Sequence, residues 1–292
     1  MQISVRGVGI EVDDQGPPSA PPLLMIMGLG MQLIGWPDEL VQALLARGLR
    51  VIRIDNRDIG LSQGFDHLGV PSIGWAALRY LMRLPISSPY SLRDMADDSV
   101  GVLDALGIQR AHICGASMGG MIAQHIAAVH PQRVASLSLM MTSSGSRRLP
   151  QPSYAVQKAL RSRPASDQPE AAVAHLENVL RIIGSPGYPP DPERLRRRLR
   201  ETVQRAWRPA GTSRQLLAVV ADGDRSAMLP RIGAPTCVIH GADDPLIPVA
   251  AAHDLVARIP GAVADIVPGM GHDLPLPLFD RFADAISNNA RR

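Results

Sequence analysis

The feature that most constrains this chain is the alternation of short aliphatic runs with longer segments of helical periodicity. The aliphatic runs are bounded by turn residues, and most are apolar at nearly every position, which is typical of strands buried on both faces of a parallel sheet. Candidate strands lie near residues 3–13, 23–27, 50–55, 111–115, 134–142, 236–241 and 263–268. Helical patterns cover 37–47, 91–106, 118–129 and 249–259, and Ser91 is a candidate N-cap. The sequence therefore predicts an α/β fold: a mostly parallel sheet with helices on both faces.

Two stretches interrupt this alternation and predict insertions above the sheet. The first covers about residues 64–90, and the second, rich in Pro and Arg, covers 146–211 with helical patterns but no strand. We therefore expect a core in two parts, 1–145 and 212–292, with a lid insertion in the first part and a helical cap between the two. The arginines of the cap segment PERLRRRLRETVQRAW predict a solvated helix face, and an anion or nucleic-acid patch is the alternative.

Length and composition exclude several classes of protein. A chain of 292 residues with 46% hydrophobic content can bury a large core, so a disordered or disulfide-stapled chain is excluded. The net charge of +3 gives no general argument for nucleic-acid binding, and no apolar run approaches the length of a membrane span. The opening residues contain no long apolar segment, and Cys114 and Cys237 lie in apolar runs as buried thiols. We expect a cytoplasmic protein without nucleic-acid partners or stable membrane insertion, which could form a homo-oligomer.

A nucleophile motif follows the strand near 111–115. The segment Gly115-Ala116-Ser117-Met118-Gly119 has the form G-x-S-x-G and leads into a helical pattern. Small residues flank the serine in a nucleophile elbow because the turn is strained and neighbouring backbones approach closely. We predict that Ser117 is a nucleophile, and an ordinary glycine-rich turn is the alternative.

A serine hydroxyl needs a base and an orienting carboxylate, which in this strand-and-helix arrangement follow the serine in the order Asp, then His. HGADDPLIP presents Asp243 and Asp244 in the loop after one strand, and PGMGHDLP presents His272 after the next. Both loops should emerge at the same edge of the sheet. His240 precedes a glycine at a strand end and is expected to be structural. The spacing alone leaves both aspartates open.

An oxyanion hole needs two backbone N–H groups directed at the developing charge. Met118, at the start of a helix, is one candidate donor, and Leu29, within Gly28-Leu29-Gly30, is the other. A dinucleotide-binding fingerprint is excluded because Leu33 stands where the third glycine belongs. Since P-loop and HExxH motifs are also missing, we expect neither a cofactor nor a metal.

The lid insertion contains a strongly apolar stretch from Ile73 to Ile86, in which only Arg79 and Arg83 are charged. A helix here would be apolar around most of its circumference and would have to bury more than one face. We predict that three of its side chains bind the substrate: Trp75, Leu78 and Met82. Packing against the cap and contact with a membrane are the alternatives.

Five segments together resemble the α/β-hydrolase fold family, most closely its aclacinomycin methylesterase-like branch. They are MGLGMQLIGWPDEL, RVIRIDNRDIGLS, CGASMGG, HGADDPLIP and PGMGHDLP, in this order. The resemblance covers the core and implies removal of a methyl ester by a Ser-His-Asp triad without a cofactor. Carried onto this sequence, it assigns these residues: Ser117, Asp244 (the aspartate before Pro245), His272, and the N–H groups of Leu29 and Met118.

This resemblance predicts a serine hydrolase that cleaves a small-molecule carboxylic ester through an acyl-enzyme, and the apolar lid stretch predicts that the ester is lipophilic. Two alternatives use the same triad: a carbon–carbon bond hydrolase and a perhydrolase. A non-catalytic binding protein is a further alternative, but such a protein would be expected to lose triad members, and this chain contains all three.

Overall fold

The computed structural model describes residues 1–166 and 168–292, with all of their side chains except that of Ala77. The sheet has eight strands in the described residues: β1 Gln2–Val5, β2 Val8–Gln15, β3 Pro22–Ile26, β4 Arg50–Ile54, β5 Ala111–Ala116, β6 Val134–Met140, β7 Thr236–Gly241 and β8 Val263–Val267. They lie in the order β1-β2-β4-β3-β5-β6-β7-β8. Strands β3 to β8 are parallel, and β2 is antiparallel to β1 and β4. The predicted α/β class with a mostly parallel sheet is confirmed.

The prediction of one continuous strand over 3–13 is wrong. The backbone turns at Arg6 and Gly7, where φ is 51° and 80°, and β1 folds back on β2 as an antiparallel pair. Glycine takes a positive φ at little steric cost, and the aliphatic residues on either side concealed this turn.

Ten helices are present in the described residues: α1 Asp38–Ala46, α2 Ile73–Leu81, α3 Leu92–Ala105, α4 Met118–Val129, α5 Tyr154–Arg161, α6 Pro169–Ile183, α7 Pro192–Arg205, α8 Pro209–Asp222, α9 Ala250–Arg258 and α10 Phe279–Ala290. The four predicted helices correspond to α1, α3, α4 and α9. Ser91 caps α3, and its hydroxyl accepts from the Asp94 N–H while the Asp94 carboxylate accepts from the Ser91 N–H.

The helices divide between the two faces of the sheet. Apolar side chains of α1 and α10 pack together on one face, and those of α3, α4 and α9 pack on the other. None of the helices in the described residues has the length and apolar content that crossing a bilayer requires.

Four helices, α5 to α8, lie between β6 and β7, where the sequence places the cap. Helix α8 crosses residue 211, the predicted end of the cap, and ends before Gly223, whose φ is 67°. All four follow the carboxyl end of β6 in the chain. This is the same edge of the sheet at which Ser117 follows β5.

The lid helix α2 is shorter than the apolar stretch that predicted it, and in the described residues it does not bury more than one face. Ala76 is buried, whereas Trp75, Leu78 and Leu81 are 59%, 45% and 78% exposed. One side of α2 lies against α8, and Trp75 and Leu217 border the groove between the two helices.

Candidate active site

Ser117 occupies the sharp turn between β5 and α4. Its φ of 54° and ψ of −119° lie in a region of backbone angles that residues other than glycine rarely adopt. Such a backbone costs about 1–3 kcal/mol and persists only where the surrounding structure holds it. Here the Ser117 N–H donates to the Met140 carbonyl, 2.9 Å away, and the Gly120 N–H donates to the Ser117 carbonyl. The predicted elbow is therefore present.

The two glycines of the motif are required by close packing. A Cβ atom on Gly115 would lie 2.2 Å from the Gly119 carbonyl oxygen, and one on Gly119 would lie 2.0 Å from the Ile26 carbonyl oxygen. Both distances are too short for any side chain. Because they lack side chains, these glycines let the end of β5 pack against the start of α4, and the start of α4 pack against the end of β3.

The structure brings Ser117, His272 and Asp244 together from three loops. His272 Nε2 lies 3.1 Å from Ser117 Oγ, and His272 Nδ1 lies 2.7 Å from Asp244 Oδ2. The other carboxylate oxygen, Oδ1, accepts from the N–H groups of Leu246 and Ile247 at 2.9 and 2.8 Å. Both oxygens of Asp244 are thus held, and the carboxylate fixes the imidazole with Nε2 toward the serine.

The neighbouring Asp243 has a different role. Its Oδ2 accepts from the Gly269 N–H at 2.8 Å and so ties the β7 loop to the loop that carries His272. Of the two adjacent acids, only Asp244 bonds to the histidine ring in the described structure.

His240 is buried beneath this site. Its Nε2 lies 2.7 Å from the Ile247 carbonyl oxygen, and burial lowers the pKa of its imidazole. A neutral ring donates from Nε2 to that carbonyl, so His240 holds the loop that contains Asp244.

The loop that contains one predicted oxyanion donor passes next to the serine, and the other donor follows the serine directly in the chain. A Cβ atom on Gly28 would lie 3.0 Å from Ser117 Cβ, so the loop containing Leu29 passes next to the nucleophile. In the described part of the chain, neither the Leu29 N–H nor the Met118 N–H donates to another backbone group outside the regular elements. Both remain candidates for binding an oxyanion, and that role stays a prediction.

Sequence reasoning missed Gln215, a fully buried residue of α8. Its Oε1 accepts from the Gly30 N–H at 2.9 Å, and its Nε2 donates to the Arg57 carbonyl at 2.9 Å. Because Gly30 follows Leu29 directly, the glutamine fixes the backbone of the candidate oxyanion loop. No local motif marks Gln215, since its partners lie far away in the sequence.

A second contact from the cap holds the loop of the histidine. Ser185 Oγ accepts from the Gly271 N–H at 2.8 Å and its hydroxyl donates to Asp273, while the His272 N–H donates to the Ile183 carbonyl at 2.7 Å. Burial raises the pKa of the Asp273 carboxyl. The segment after α6 therefore holds the loop that contains His272, just as α8 holds the candidate oxyanion loop.

Two buried ion pairs fix the chain after β4. Arg57 pairs with Asp98, with Nε 2.6 Å from Oδ2, and Asp58 pairs with Arg214 of α8, with Nη2 2.7 Å from Oδ1. Arg214 also donates to the Gly69 carbonyl at the base of the lid. These contacts give Arg57 and Asp58 a structural role.

The predicted substrate-binding residues lie on the lid. Trp75 and Leu78 belong to α2, and Met82 is its C-cap and 60% exposed. Their contact with a substrate stays a prediction. No cluster of three or more His, Cys, Asp or Glu side chains in the described residues could hold a metal ion.

Replacing Gln215 with leucine should lower kcat roughly tenfold to a hundredfold and change KM little. A displaced oxyanion donor weakens the transition state more than the bound ester, and a missing donor costs about a hundredfold or more in other enzymes. Gln215→Glu keeps an acceptor for the Gly30 N–H and should recover part of the loss.

The matched control is Gln124→Leu. Gln124 is equally buried, lies in α4, and donates to the Ser143 carbonyl at 3.1 Å. Kinetic constants and melting temperatures of the three variants should be measured together. Equal losses of kcat and stability in Gln215→Leu and Gln124→Leu would leave Gln215 with a packing role only.

Comparisons with known proteins agree with this geometry. The α/β-hydrolase fold family matches residues 21–276. The chain is 32% identical to rhodomycin D methylesterase DauP of a Streptomyces species, over 94% of this chain and 93% of that one. It is 28% identical to a 2-hydroxy-6-oxononadienedioate/2-hydroxy-6-oxononatrienedioate hydrolase of Paraburkholderia xenovorans, over 91% and 84% of the two chains. The solved enol-lactonase of Burkholderia xenovorans superposes with a TM-score of 0.74 at 22% identity over 100% of both chains. The chain belongs to the α/β-hydrolase fold family.

Proposed function

We propose that this protein is a serine hydrolase that cleaves a carboxylic ester through an acyl-enzyme. The observation that carries the proposal is His272, whose two ring nitrogens lie within hydrogen-bond distance of Ser117 Oγ and Asp244 Oδ2. Similarity to the rhodomycin D methylesterases supports a methyl ester as the substrate class.

The mechanism follows from the positions of these groups. His272 Nε2 takes the proton of Ser117 as its oxygen attacks the ester carbonyl, and the N–H groups of Leu29 and Met118 stabilise the oxyanion. His272 then protonates the leaving alcohol. Water hydrolyses the acyl-enzyme by the same steps, while the Asp244 carboxylate orients the imidazole and stabilises its charged form. No step requires a cofactor.

A carbon–carbon bond hydrolase remains the second candidate, because the same triad is compatible with it and a relative at 28% identity carries such a name. The two reactions differ in their products. An ester yields a carboxylic acid and an alcohol, whereas carbon–carbon cleavage yields a carboxylic acid and a fragment in which a C–H bond replaces the bond that broke.

We also propose a cytoplasmic location and a lipophilic substrate. Cys114 and Cys237 are free and buried, which supports a reducing compartment such as the cytoplasm. The apolar lid favours a lipophilic small-molecule ester, and α5 to α8 with the lid form its cover.

The test is a hydrolysis screen on the purified protein. The panel should contain p-nitrophenyl esters of increasing chain length, methyl esters of polycyclic acids and a 2-hydroxy-6-oxo-dienoate. We expect methanol and free acid from at least one methyl ester, and covalent labelling of Ser117 by a fluorophosphonate. Turnover of the dienoate alone would favour the second candidate, and neither turnover nor labelling would favour a binding protein.

A further inference from the structure

The lid and the segment after β6 form an exposed surface that combines apolar and basic side chains. We call it the lid surface and define it as the exposed side chains of residues 73–84 and 147–163. The two segments meet where the guanidinium of Arg147 lies over the Tyr80 ring, 4.3 Å from its centroid. Its large apolar members are each more than two-fifths exposed: Trp75, Leu78, Leu81, Met82, Leu84, Tyr154 and Leu160.

The apolar members are not scattered single residues. Five of the seven lie within residues 75–84, on α2 and just after its C-terminal end. The sequence of this helix requires burial on more than one face, yet among its described side chains only Ala76 is buried. Exposed apolar patches of this kind mark interaction sites.

The charges of the lid surface identify what could cover it. Residues 67–93 and 105–166 contain no Asp or Glu. The basic residues of its two segments are Arg79, Arg83, Arg147, Arg148, Lys158, Arg161 and Arg163. All of them except Arg79 are exposed. A second copy of the same surface would bring cations against cations, which disfavours self-association through this face. A partner must therefore be anionic as well as apolar.

We propose that the lid surface docks reversibly on an anionic lipid bilayer. The short helix α2 would lie in the interface with its apolar side chains among the acyl chains, and Trp75 would lie at the level of the headgroups. The surrounding Arg and Lys side chains would bind anionic headgroups from the rim. This docking does not rest on the ester-hydrolase proposal, because it involves neither Ser117 nor its partners, but it places Trp75, Leu78 and Met82 against lipid instead of substrate.

The experiment is co-sedimentation of the full chain with vesicles. Two vesicle types are needed, phosphatidylcholine alone and phosphatidylcholine mixed with phosphatidylglycerol. We expect binding to the mixed vesicles that weakens as salt is raised, and much weaker binding to phosphatidylcholine. Arg83→Gln/Arg148→Gln should lower the partition coefficient about tenfold to thirtyfold, since each basic side chain near an anionic surface contributes about fivefold. Leu81→Ser/Leu84→Ser should lower it about tenfold or more by removing buried apolar area.

The matched control is Arg231→Gln/Arg291→Gln. Both arginines are exposed and lie near the amino end of β7, away from the edge that carries the lid. Arg231 precedes β7 in the chain, and Arg291 is the C-cap of α10, whose Asn289 donates to the Pro235 carbonyl. This variant makes the same change in net charge and should keep the binding of the original chain. All the altered side chains are exposed, so circular dichroism should be unchanged throughout.

Three results would overturn the proposal. They are equal binding to both vesicle types, an equal loss in the control variant, and no vesicle binding at any salt concentration. If the chain instead dimerises in sedimentation equilibrium, and Leu81→Ser/Leu84→Ser abolishes the dimer, the lid surface is an interface between two copies.

Discussion

Replacing Ser117 with alanine should lower kcat/KM by a factor of about 10⁴ or more while the protein remains folded. The hydroxyl is the only group of this side chain that can attack a carbonyl, and His272 Nε2 lies 3.1 Å from it. The alanine keeps the Cβ atom and the positive φ of 54°, so the backbone strain of the elbow is the same in both proteins. The expected change in unfolding free energy is therefore small.

The measurement should combine kinetics with covalent labelling. The alanine variant should lose fluorophosphonate labelling together with ester turnover. Ser138→Ala is the control, because Ser138 is a buried serine in β6 on the adjacent strand. It should keep both labelling and activity within a few-fold. A folded Ser117→Ala protein that also keeps activity within a few-fold would contradict the serine mechanism.

The parts of the fold that the sequence predicts are those set by local patterns. The aliphatic runs of β3 to β8 are short and bounded by turn residues, which distinguishes them from helices, and Ser91 with Asp94 marks the start of α3 by short-range capping. The sequence also contains a signal for α10 that the prediction did not use. Phe279, Phe282, Ala283 and Ile286 recur at helical spacing, and all four are buried on the sheet.

Contacts between distant segments could not be predicted in this way. Gln215 bonds to the N–H of Gly30 from 185 positions away, and Ser185 bonds to the N–H of Gly271 from 86 positions away. Each is an unremarkable polar residue in its own segment. Only the path of the cap across the carboxyl edge of the sheet brings them to the two loops of the site.

The exposed lid helix shows a different limit of sequence reasoning. The periodicity of apolar residues indicates how much apolar surface a helix has, but it does not indicate which molecule covers that surface. The packing of α2 on α8 covers one side, and the remaining Trp75, Leu78 and Leu81 are exposed. The prediction of burial considers one chain alone, whereas the proposed docking covers the lid surface with a second molecule.

The two adjacent acids of the β7 loop should differ sharply when each is changed to asparagine. Asp244→Asn should lower kcat by a factor of about 10³–10⁴, because the amide can donate to His272 Nδ1 and so favours the tautomer that carries its proton on Nε2. That tautomer cannot accept the proton of Ser117. Asp243→Asn should cost less than about tenfold, because its amide oxygen still accepts from the Gly269 N–H.

Kinetic constants of both variants should be measured together with their melting temperatures. The geometry makes the comparison decisive, since Asp244 Oδ2 lies 2.7 Å from His272 Nδ1 while Asp243 bonds to the backbone of the next loop. Asp244→Asn should retain a stable fold, because its amide oxygen can still accept from the N–H groups of Leu246 and Ile247. If Asp243→Asn proves the more damaging change at equal stability, the orienting carboxylate is Asp243 and the assignment of Asp244 is wrong.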